Sequence, residues 1–443
     1  MKFNRRRFLQ AFGAGAAVAA TPTILRANTT GPHRVVVLGG GFAGATVAKY
    51  LRMWGGDNIA VTLVDPKASH TSCVLSNLVL NGRMRLRELK LTYDSLSSFY
   101  GVNVIRDRAV GIVDNGQGGK DGWRVELKNG ADLYCDRLVV ATGIGFKKPA
   151  GDFNFNDTPH AWIAGRQTTR LANKVQALNK GDTFVMTIPK SPYRCPPGPY
   201  ERACLVADIL KRKGGGTVTV LDANDRIQAE APTFTRAFDE LYNGIVDYRT
   251  DVSMESVDSA AGVVVTKSAS GSFEEISGDV VNIIPQQRAL GFVRASGLTE
   301  GEDWAAIDPL SYESTVAGFE GVHIIGDSQG SGQPKSAHMA SSQAKICADA
   351  IIRMLAGVDV SYHPDRGSER WMNITTNSAC YSPITYDEAS WLTANFVYEA
   401  PDMEGEEVGK MALKHIGEAD HWNKDNYEEM FAWASNLFTD SFH

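Results

Sequence analysis

The segment with the clearest capacity for chemistry contains Cys195 within a run of prolines at residues 189–202. It leads into a predicted helix at residues 200–211, and Arg194 and Arg202 lie beside the thiol in the sequence. A thiolate near a helix N-terminus and a guanidinium has a lowered pKa, which favours nucleophilic sulfur chemistry. The sequence therefore predicts a reactive Cys195 with a low pKa, and a purely structural cysteine is the alternative.

Glu201, at the start of the same predicted helix, is a candidate proton acceptor for that chemistry. Its alternative role is that of a first-turn glutamate stabilising the helix dipole. The proline-rich segment follows a predicted strand at residues 183–188, where a nucleotide-binding domain would carry a glycine-rich turn. Because prolines lack an N–H group, this segment cannot cradle a pyrophosphate with consecutive amides. We therefore expect no NAD(P) binding here.

A second candidate site is a glycine-rich turn that contains Gly39, Gly41 and Gly44. It lies between a predicted buried strand at residues 34–38 and a predicted helix at residues 45–51. The first glycine permits a tight turn, the second lets the backbone approach a pyrophosphate, and the third allows close helix packing. The helix N-terminus then favours the phosphates. This arrangement predicts a dinucleotide site.

Asp65 follows the next predicted strand, residues 59–64, about 20 residues beyond the last glycine of the turn. A carboxylate at this position accepts hydrogen bonds from ribose hydroxyls and repels a 2′-phosphate. Farther along the chain, Thr142 and Gly143 close a strand, as in the second signature of flavoproteins with two dinucleotide domains. The dinucleotide is therefore FAD or NAD, and this second signature favours FAD.

Gly326 and Asp327 follow a predicted strand at residues 322–325 and resemble the third signature of the same flavoproteins. In that class the residue equivalent to Asp327 hydrogen-bonds the ribityl chain of FAD. The three signatures occur in the expected order along the chain. We therefore predict that the cofactor is FAD, and NAD is the alternative.

Predicted strands separated by helical stretches indicate a doubly wound α/β architecture. Its 443 residues exceed one ordinary hydrophobic core. We predict two Rossmann-like dinucleotide-binding-type domains, as in flavin-disulfide reductases, and a C-terminal interface domain. The predicted divisions are a signal peptide at 1–27, the FAD-binding domain at 28–150 and 291–358, a middle domain resembling an NAD domain without a nucleotide fingerprint at 151–290, and the interface domain at 359–443.

The N-terminus carries three arginines at positions 5–7, then Phe8 and Leu9 and a stretch rich in alanine and glycine. This pattern is typical of a twin-arginine export signal, with cleavage after Ala27. The apolar stretch is about half as long as a transmembrane helix requires, which argues against a membrane span. A surface amphipathic helix is the alternative to an export signal. We expect export to the periplasm and no transmembrane segment. The net charge of −6 argues against a nucleic acid partner.

Four stretches of the chain closely resemble the FAD-binding flavoprotein subunit of flavocytochrome c sulfide dehydrogenase. They are residues 71–77 (TSCVLSN), 193–203 (YRCPPGPYERA), 284–289 (IPQQRA) and 334–336 (PKS). The resemblance implies that Cys73 forms a thioether with the flavin 8α-methyl group, a free buried cysteine being the alternative. It implies that Cys195 is one half of a redox-active disulfide and that Glu201 is the active-site base. It also implies that Lys335 contacts the cofactor.

The chain departs from the expected family pattern after the Gly-Asp pair, where we expect the second redox cysteine and the sequence reads Ser-Gln-Gly-Ser. The six cysteines are Cys73, Cys135, Cys195, Cys204, Cys347 and Cys380. If Cys73 carries the flavin, at least one of the other five is unpaired. We therefore expect the usual disulfide to be absent, and a bridge from Cys195 to Cys204, Cys347 or Cys380 is the alternative.

The resemblance implies an exported enzyme that oxidises sulfide, or a related reduced sulfur compound, and passes electrons to a c-type cytochrome subunit. No C-x-x-C-H motif occurs, so we expect no haem on this chain. No metal site is predicted either. The alternatives are an enzyme like sulfide:quinone oxidoreductase, and a non-catalytic flavoprotein partner of a sulfur-oxidation system.

Overall fold

The computed structural model describes residues 31–116, 122–363, 369–401 and 409–443. In chain order the strands are β1 (His33–Leu38), β2 (Ile59–Val64), β3 (Ser69–Thr71), β4 (Lys90–Thr92), β5 (Asn103–Ile105), β6 (Ala109–Asp114), β7 (Trp123–Leu127), β8 (Leu133–Cys135), β9 (Arg137–Val140), β10 (Ile144–Phe146), β11 (Thr183–Ile188), β12 (Thr217–Asp222), β13 (Val246–Arg249), β14 (Val252–Asp258), β15 (Val263–Ser268), β16 (Phe273–Ser277), β17 (Val280–Ile283), β18 (Gln287–Ala289), β19 (Val322–Ile324), β20 (Thr375–Pro383), β21 (Ala389–Glu399) and β22 (Lys410–Glu418). The α-helices are α1 (Phe42–Gly55), α2 (Asp94–Ser98), α3 (Arg166–Ala177), α4 (Gly198–Arg212), α5 (Ala231–Arg236), α6 (Gly291–Ala295), α7 (Ala337–Leu355), α8 (Glu369–Met372) and α9 (Lys424–Phe442).

The first sheet has five parallel strands in the order β19-β9-β1-β2-β5. The apolar, β-branched sequence of β1 is buried over its last four residues, as expected for a strand covered on both faces. Because the strands are parallel, β1, β2 and β9 end at the same edge of the sheet. This edge receives the glycine-rich turn, and β19 joins the sheet from a distant part of the chain.

The second sheet has four parallel strands in the order β13-β12-β11-β17. The helix α4 follows β11 and is buried from Gly198 through Ala207, so it forms part of the core of this unit. Two parallel sheets with intervening helices confirm the predicted α/β fold with two Rossmann-like units. The exact domain divisions stay predictions, and the predicted signal peptide at 1–27 lies outside the described residues.

The C-terminal part forms an antiparallel sheet, β20-β21-β22, followed by α9, which packs against α1 of the first unit. Lys49 of α1 donates from Nζ to the carbonyl oxygens of Thr439, Asp440 and His443 in the last turn of α9. A cation at a helix C-terminus satisfies the last carbonyl groups and complements the helix dipole. Across the described ranges, no helix is long and apolar enough to cross a membrane.

Candidate active site

A cavity of about 550 Å³ lies at the edge of the first sheet where β1, β2 and β9 end. The lining of this nucleotide cavity includes Gly39, Gly40, Gly41, Asp65, Lys67, His70, Thr142, Gly143 and Arg194. The fold therefore gathers five of the ten predicted cofactor-binding residues around one space, and the other five, Gly44, Cys73, Gly326, Asp327 and Lys335, are not part of this lining. A crevice at the carboxyl ends of parallel strands is where α/β proteins bind nucleotides.

The backbone of the turn explains its glycines. Gly39 has φ +100°, and a Cβ atom there would lie 2.6 Å from the carbonyl oxygen of Ala141. A Cβ atom on Gly44 would lie 1.8 Å from the carbonyl oxygen of Gly39, so α1 approaches the turn too closely for any side chain. A Cβ atom on Gly41 would meet nothing nearer than 3.7 Å, on His70. Gly41 thus leaves the cavity wall open to a ligand.

Asp65 directly follows β2, and its carboxylate lines the nucleotide cavity. It accepts hydrogen bonds from the backbone N–H groups of Gly40 and Lys67, both at 2.7 Å. These two bonds hold the carboxylate beside the glycine turn, where a ribose would lie.

Two buried polar atoms of the nucleotide cavity indicate that a ligand belongs there. Nε2 of His70 and Oγ1 of Thr142 have no hydrogen-bond partner among the described residues. Burial, with the positive charges of Arg194 and Lys67, lowers the pKa of His70 to about 3, so its ring is neutral. Buried polar atoms normally have a partner, and a bound dinucleotide would supply one. The residues present therefore fit FAD.

Gly326 and Asp327 lie just after β19, where the backbone turns at Gly326 with φ +72°. The carboxylate of Asp327 accepts a hydrogen bond from Nε of Arg194 at 2.6 Å. Arg194 lines the nucleotide cavity and also a second, smaller cavity that contains the predicted thiols. The Arg194–Asp327 ion pair thus stands between the two spaces.

Lys335 is buried and lies against the same region. Its Nζ atom donates to the carbonyl oxygen of Gln329 at 2.6 Å and lies 3.7 Å from the ring centre of Trp304. Burial lowers the pKa of Lys335 to about 8, although the nearby Asp327 carboxylate opposes that shift. The backbone of Lys335 also accepts the N–H of Cys195 at 2.7 Å. Lys335 therefore helps to position the backbone of Cys195.

The second cavity, of about 70 Å³, is called the inner cavity. Its lining includes Cys73, Asn77, Arg194, Cys195, Pro197, Glu201, Ser336, Cys380 and Trp433. The structure thus brings both predicted catalytic residues and the predicted flavin-linking cysteine into one small space. Several elements that are distant in sequence supply them, including α4 and β20.

The backbone presents Cys195 in an unusual conformation. Its φ of +58° is in the left-handed region, which is uncommon for a residue with a side chain and is often found at functional sites. The carbonyl of Cys195 accepts the N–H of Gly198 at 3.0 Å, at the start of α4. A Cβ atom on Gly198 would lie 2.8 Å from Sγ of Cys195. The turn therefore has room for the thiol only because residue 198 is glycine.

The predicted low pKa of Cys195 is wrong. Burial raises the pKa of this thiol well above its usual value, and Cys380, Glu201 and Cys73 add to that effect. The two arginines that were expected to lower it are engaged elsewhere. Arg194 pairs with Asp327, and the guanidinium of Arg202 donates to the carbonyl oxygens of His160 and Ala161 and to Asn282. Both guanidinium charges still interact with Cys195, but burial of the thiol outweighs them and its pKa rises.

The structure adds a second thiol at the site of Cys195, and the expected absence of the usual disulfide stays a prediction. Cys380 of β20 lines the inner cavity together with Cys195, and both are free thiols in the structure. The position after Asp327 holds Ser328, whose hydroxyl donates to the carbonyl oxygen of Gly143 at 2.6 Å. The packing of β20 against α4 and α7 brings Cys380 to the site. Cys195 and Cys380 are far apart in the sequence, so no local pattern predicted that they line the same cavity.

Glu201 is buried beside the thiols, and burial raises its pKa to about 8. Asn77, another residue that the sequence did not single out, donates from Nδ2 to Oε1 of Glu201 at 3.0 Å and opposes this shift. Oδ1 of Asn77 accepts from Nε of Arg202 at 3.1 Å. Asn77 therefore fixes the orientation of Glu201, which is mainly protonated at neutral pH and becomes a base above about pH 8.

The turn after β11 uses its amides inside the protein. The N–H of Arg194 donates to Oε1 of Gln287 at 2.8 Å, and the N–H of Cys195 donates to Lys335 as described above. These donors are therefore not directed at a pyrophosphate. Elsewhere in the molecule, the described residues contain no cluster of His, Cys, Asp and Glu suited to a metal ion.

The fold and the nucleotide cavity define an FAD-binding oxidoreductase of the flavin-disulfide reductase class. A family model described as pyridine nucleotide-disulphide oxidoreductase matches residues 33–182. A second, described as the central part of the sulfide dehydrogenase (flavocytochrome c) flavoprotein chain, matches residues 168–285. The flavoprotein chain of that enzyme from Chlorobaculum thiosulfatiphilum is 55% identical over 49 residues, which are 11% of this chain and 100% of that sequence. The chain belongs to the family of flavocytochrome c sulfide dehydrogenase flavoprotein chains, as its sequence motifs predicted.

More distant relatives share the architecture. Mitochondrial sulfide:quinone oxidoreductase of Dictyostelium discoideum is 21% identical over 350 residues, covering 75% of this chain and 73% of that protein. The solved structure of sulfide:quinone oxidoreductase from Aquifex aeolicus superposes with a TM-score of 0.72 at 16% identity, over 93% of this chain and 92% of that one. The putidaredoxin reductase–putidaredoxin complex gives a TM-score of 0.59 at 16% identity, over 93% and 94%. At these identities the likeness concerns the fold.

Proposed function

We propose that this protein is an FAD-dependent sulfide dehydrogenase that oxidises hydrosulfide at the thiols of its inner cavity and passes the electrons to a c-type cytochrome subunit. The observation that carries the proposal is the convergence of Cys73, Cys195, Cys380 and Glu201 on one small cavity beside the nucleotide cavity. The family membership supports the same substrate and acceptor. Small sulfur compounds are the ligands that a cavity of about 70 Å³ could take.

FAD would be held by the glycine turn, with Asp65 on the ribose and Thr142, Gly143 and Asp327 near the rest of the cofactor. Cys73 would link it covalently, as the family resemblance implies. When bound, FAD accepts an electron pair and returns the electrons singly, which suits a two-electron donor and a haem acceptor. If the link exists, acid precipitation leaves the yellow colour on the wild-type protein and releases it from Cys73→Ala. Free FAD in the wild-type supernatant would contradict it.

The thiols of Cys195 and Cys380 would form the redox-active disulfide in the oxidised enzyme. Hydrosulfide attacks Sγ of Cys380, a new S–S bond forms there, and Sγ of Cys195 leaves with the bonding electron pair as a thiolate. When the substrate enters as hydrogen sulfide, the carboxylate of Glu201 takes one of its protons and so generates the hydrosulfide that attacks, and Asn77 keeps that carboxylate in place.

A second candidate acceptor is quinone. The superposition with sulfide:quinone oxidoreductase over nearly the whole chain favours this alternative, since the two folds are shared. The family model of the central region supports cytochrome instead. The twin-arginine pattern at residues 5–9 supports export to the periplasm, where c-type cytochromes accept electrons.

The test is anaerobic mixing of the purified holoenzyme with hydrosulfide. The flavin absorbance should bleach, and oxidised cytochrome c should restore it faster than a soluble quinone does. Faster recovery with quinone would replace the cytochrome with the second candidate. A flavin that hydrosulfide never bleaches would reject sulfide oxidation altogether and favour a non-catalytic flavoprotein.

A further inference from the structure

A third cavity, of about 320 Å³, lies on the far side of Cys380 and is called the outer cavity. Its walls come from the segment before α5 and from β20, β21 and β22, and they include Ile227, Glu230, Leu392, Phe396, Leu413 and Ile416. Pro197, Ser336 and Cys380 line both this cavity and the inner cavity. Cys380 therefore stands in a partition between two spaces, whereas Cys195 lines only the inner one of these two.

The outer cavity opens toward solvent along β22. Leu413 and Ile416 on this strand are 48% and 51% exposed, while Ala394 and Phe396 deeper in the wall are buried. The exposed apolar side chains thus form a mouth, and the buried ones lead inward to Cys380. A small apolar molecule could pass along this wall without losing contact with hydrocarbon surface.

Glu230 is the unusual residue of this cavity. It is 1% exposed and precedes α5 with a left-handed φ of +52°. Its Oε2 atom accepts a hydrogen bond from the hydroxyl of Ser382, and the hydroxyl of Ser390 lies near the carboxylate. Neither Oε1 of Glu230 nor Oγ of Ser390 makes a hydrogen bond of normal length and angle among the described residues. A buried carboxyl oxygen without a partner is costly, so a ligand in the cavity would supply the missing contact.

The charge of the site limits the ligand. No lysine, arginine or histidine lines the outer cavity, and its titratable groups are Glu230, Glu418 and Cys380, with Glu201 near Glu230 from α4. Burial raises the pKa of Glu230 to about 7, and the charge of Glu418 adds to the shift. Multiply charged anions such as sulfite, thiosulfate or glutathione would lose hydration here without gaining a cation. Neutral, weakly hydrated sulfur compounds fit.

We infer that the outer cavity binds a second, neutral sulfur nucleophile, hydrogen sulfide or a short uncharged hydropolysulfide, which removes the sulfane sulfur from Cys380 with Glu230 as its proton acceptor. This inference rests on the proposed function, which supplies the persulfide on Cys380. It assigns the first sulfide to the inner cavity and the second to the outer cavity. The two substrates then reach Cys380 from opposite sides.

The transfer step balances without an external oxidant. Glu230 carboxylate takes a proton from hydrogen sulfide, and the sulfur attacks the outer sulfur of the Cys380 persulfide. A new S–S bond forms between the two free sulfur atoms, and the bond to Cys380 breaks with its electron pair on Sγ. The products are hydrogen disulfide, the Cys380 thiolate and protonated Glu230. An acid with a pKa near the working pH is suited to this exchange.

The experiment separates the two sulfide steps. Holoenzyme is mixed anaerobically with one equivalent of hydrosulfide, then with an excess, and Cys380 is followed by mass spectrometry after alkylation. In Glu230→Gln we expect formation of the Cys380 persulfide after the first equivalent within about twofold of wild type, but its decay in excess hydrosulfide slowed at least about tenfold. Glu399→Gln, a matched change on the surface of the same sheet, should behave as wild type.

A second variant tests the cavity without touching the carboxyl group. Leu413→Trp fills the exposed mouth and should slow persulfide decay, while His415→Trp, an exposed neighbour outside the cavity lining, should not. If both Glu230→Gln and Leu413→Trp release the sulfane sulfur at the wild-type rate, the inference is wrong and the proposed function stands. If hydrosulfide forms no persulfide on Cys380 in the wild type, the sulfur chemistry of the proposed function and this inference both fall.

Discussion

The two βαβ units of this protein, β1–α1–β2 and β11–α4–β12, share a topology but differ at the turn that follows the first strand. The first turn consists of glycines whose backbone faces a cavity, and it is followed by Asp65 with its carboxylate on the same cavity. The second turn is rich in prolines, and its amides bind Gln287 and Lys335 within the protein. The same scaffold therefore leaves an open cavity beside the turn in one unit and presents a side-chain thiol in the other.

The two units also differ in the acidic residue at the end of their second strand, which is Asp65 after β2 and Asp222 in β12. Asp222 of β12 stands where Asp65 stands in the first unit, but it is fully buried. Its carboxylate accepts hydrogen bonds from the hydroxyls of Tyr200 at 2.8 Å and Tyr248 at 2.9 Å. Two tyrosines thus occupy the lone pairs that a ribose would need. The comparison teaches that a nucleotide site requires an open cavity beside the turn and a carboxylate that lines it, beyond the βαβ topology itself.

The most direct attempt to break this comparison is reduction by NADH. If the second unit binds no nicotinamide nucleotide, stopped-flow mixing with NADH or NADPH should bleach the flavin at least about a thousandfold more slowly than hydrosulfide does, a difference of about 4 kcal/mol in barrier. A flavin-reductase mixture that supplies reduced flavin serves as the positive control for reduction. Rapid bleaching at micromolar NADH would show that the proline-rich turn accepts a nucleotide after all.

The second prediction concerns the thiol that this turn presents. Cys195→Ser and Cys380→Ser should each slow sulfide-dependent flavin bleaching at least about a hundredfold, because either change removes the disulfide that hydrosulfide opens. Cys204→Ser, in the buried part of α4, is the matched control, and its flavin should bleach at the wild-type rate. Non-reducing mass spectrometry of the oxidised enzyme should find a Cys195–Cys380 bridge. Near-normal bleaching in both variants would leave direct attack of hydrosulfide on the flavin.

A pair of glycine substitutions sharpens the contrast between the turns. Gly44→Val should reduce the FAD content at least about tenfold, since even a Cβ atom would overlap the carbonyl oxygen of Gly39. Gly198→Ala, just after the second turn, should keep the FAD and slow sulfide-dependent bleaching instead, because its Cβ atom would press on Sγ of Cys195. Absorbance spectra give the flavin content, and stopped-flow gives the rate. Loss of FAD in Gly198→Ala would erase the distinction between the two turns.

The site residues that could be predicted from the sequence are those whose role depends on the backbone conformation of a few neighbouring residues. Gly39, Gly41 and Gly44 were recognisable because a strand, a turn and a helix follow one another directly. Cys195 and Glu201 were recognisable from the family motif, and the fold places both at the inner cavity. In these cases a few neighbouring residues contain the whole geometric requirement, so a sequence pattern suffices.

The residues that sequence reasoning missed depend on packing between distant segments. Cys380 reaches the site because β20 packs against α4 and α7, and Glu230 gains its environment from the C-terminal sheet. The pKa of Cys195 was predicted in the wrong direction because burial is a property of the assembled core. No spacing or composition in the chain encodes these contacts. The count of six cysteines was the one available signal, and it did not say which of them meet.

The smallest expected effect concerns Asn77, which joins the segment after Cys73 to the helix after Cys195. Its Nδ2 atom donates to Glu201 and opposes the effect of burial, and with both effects the pKa of Glu201 is raised to about 8. Glu201 acts as a base only when deprotonated, so the rate of sulfide-dependent bleaching should rise with pH through about 8 in the wild type. Removing the donor in Asn77→Ala should raise this pKa further and move the rise to higher pH. A shift of about half a pKa unit lowers the rate at pH 7 roughly threefold.

The pH profile separates this positioning role from a general loss of structure. Above the shifted pKa, Glu201 is ionised in both proteins, so the rate of Asn77→Ala should return to the wild-type plateau. Glu201→Gln, which has no carboxylate to titrate, should lose the rise altogether and stay slow at every pH. A rate in Asn77→Ala that is low by the same factor at all pH values would mean that Asn77 supports the packing of Arg202 rather than the ionisation of Glu201. Asn77 would then connect the two units of the protein structurally and would make no contribution to proton transfer.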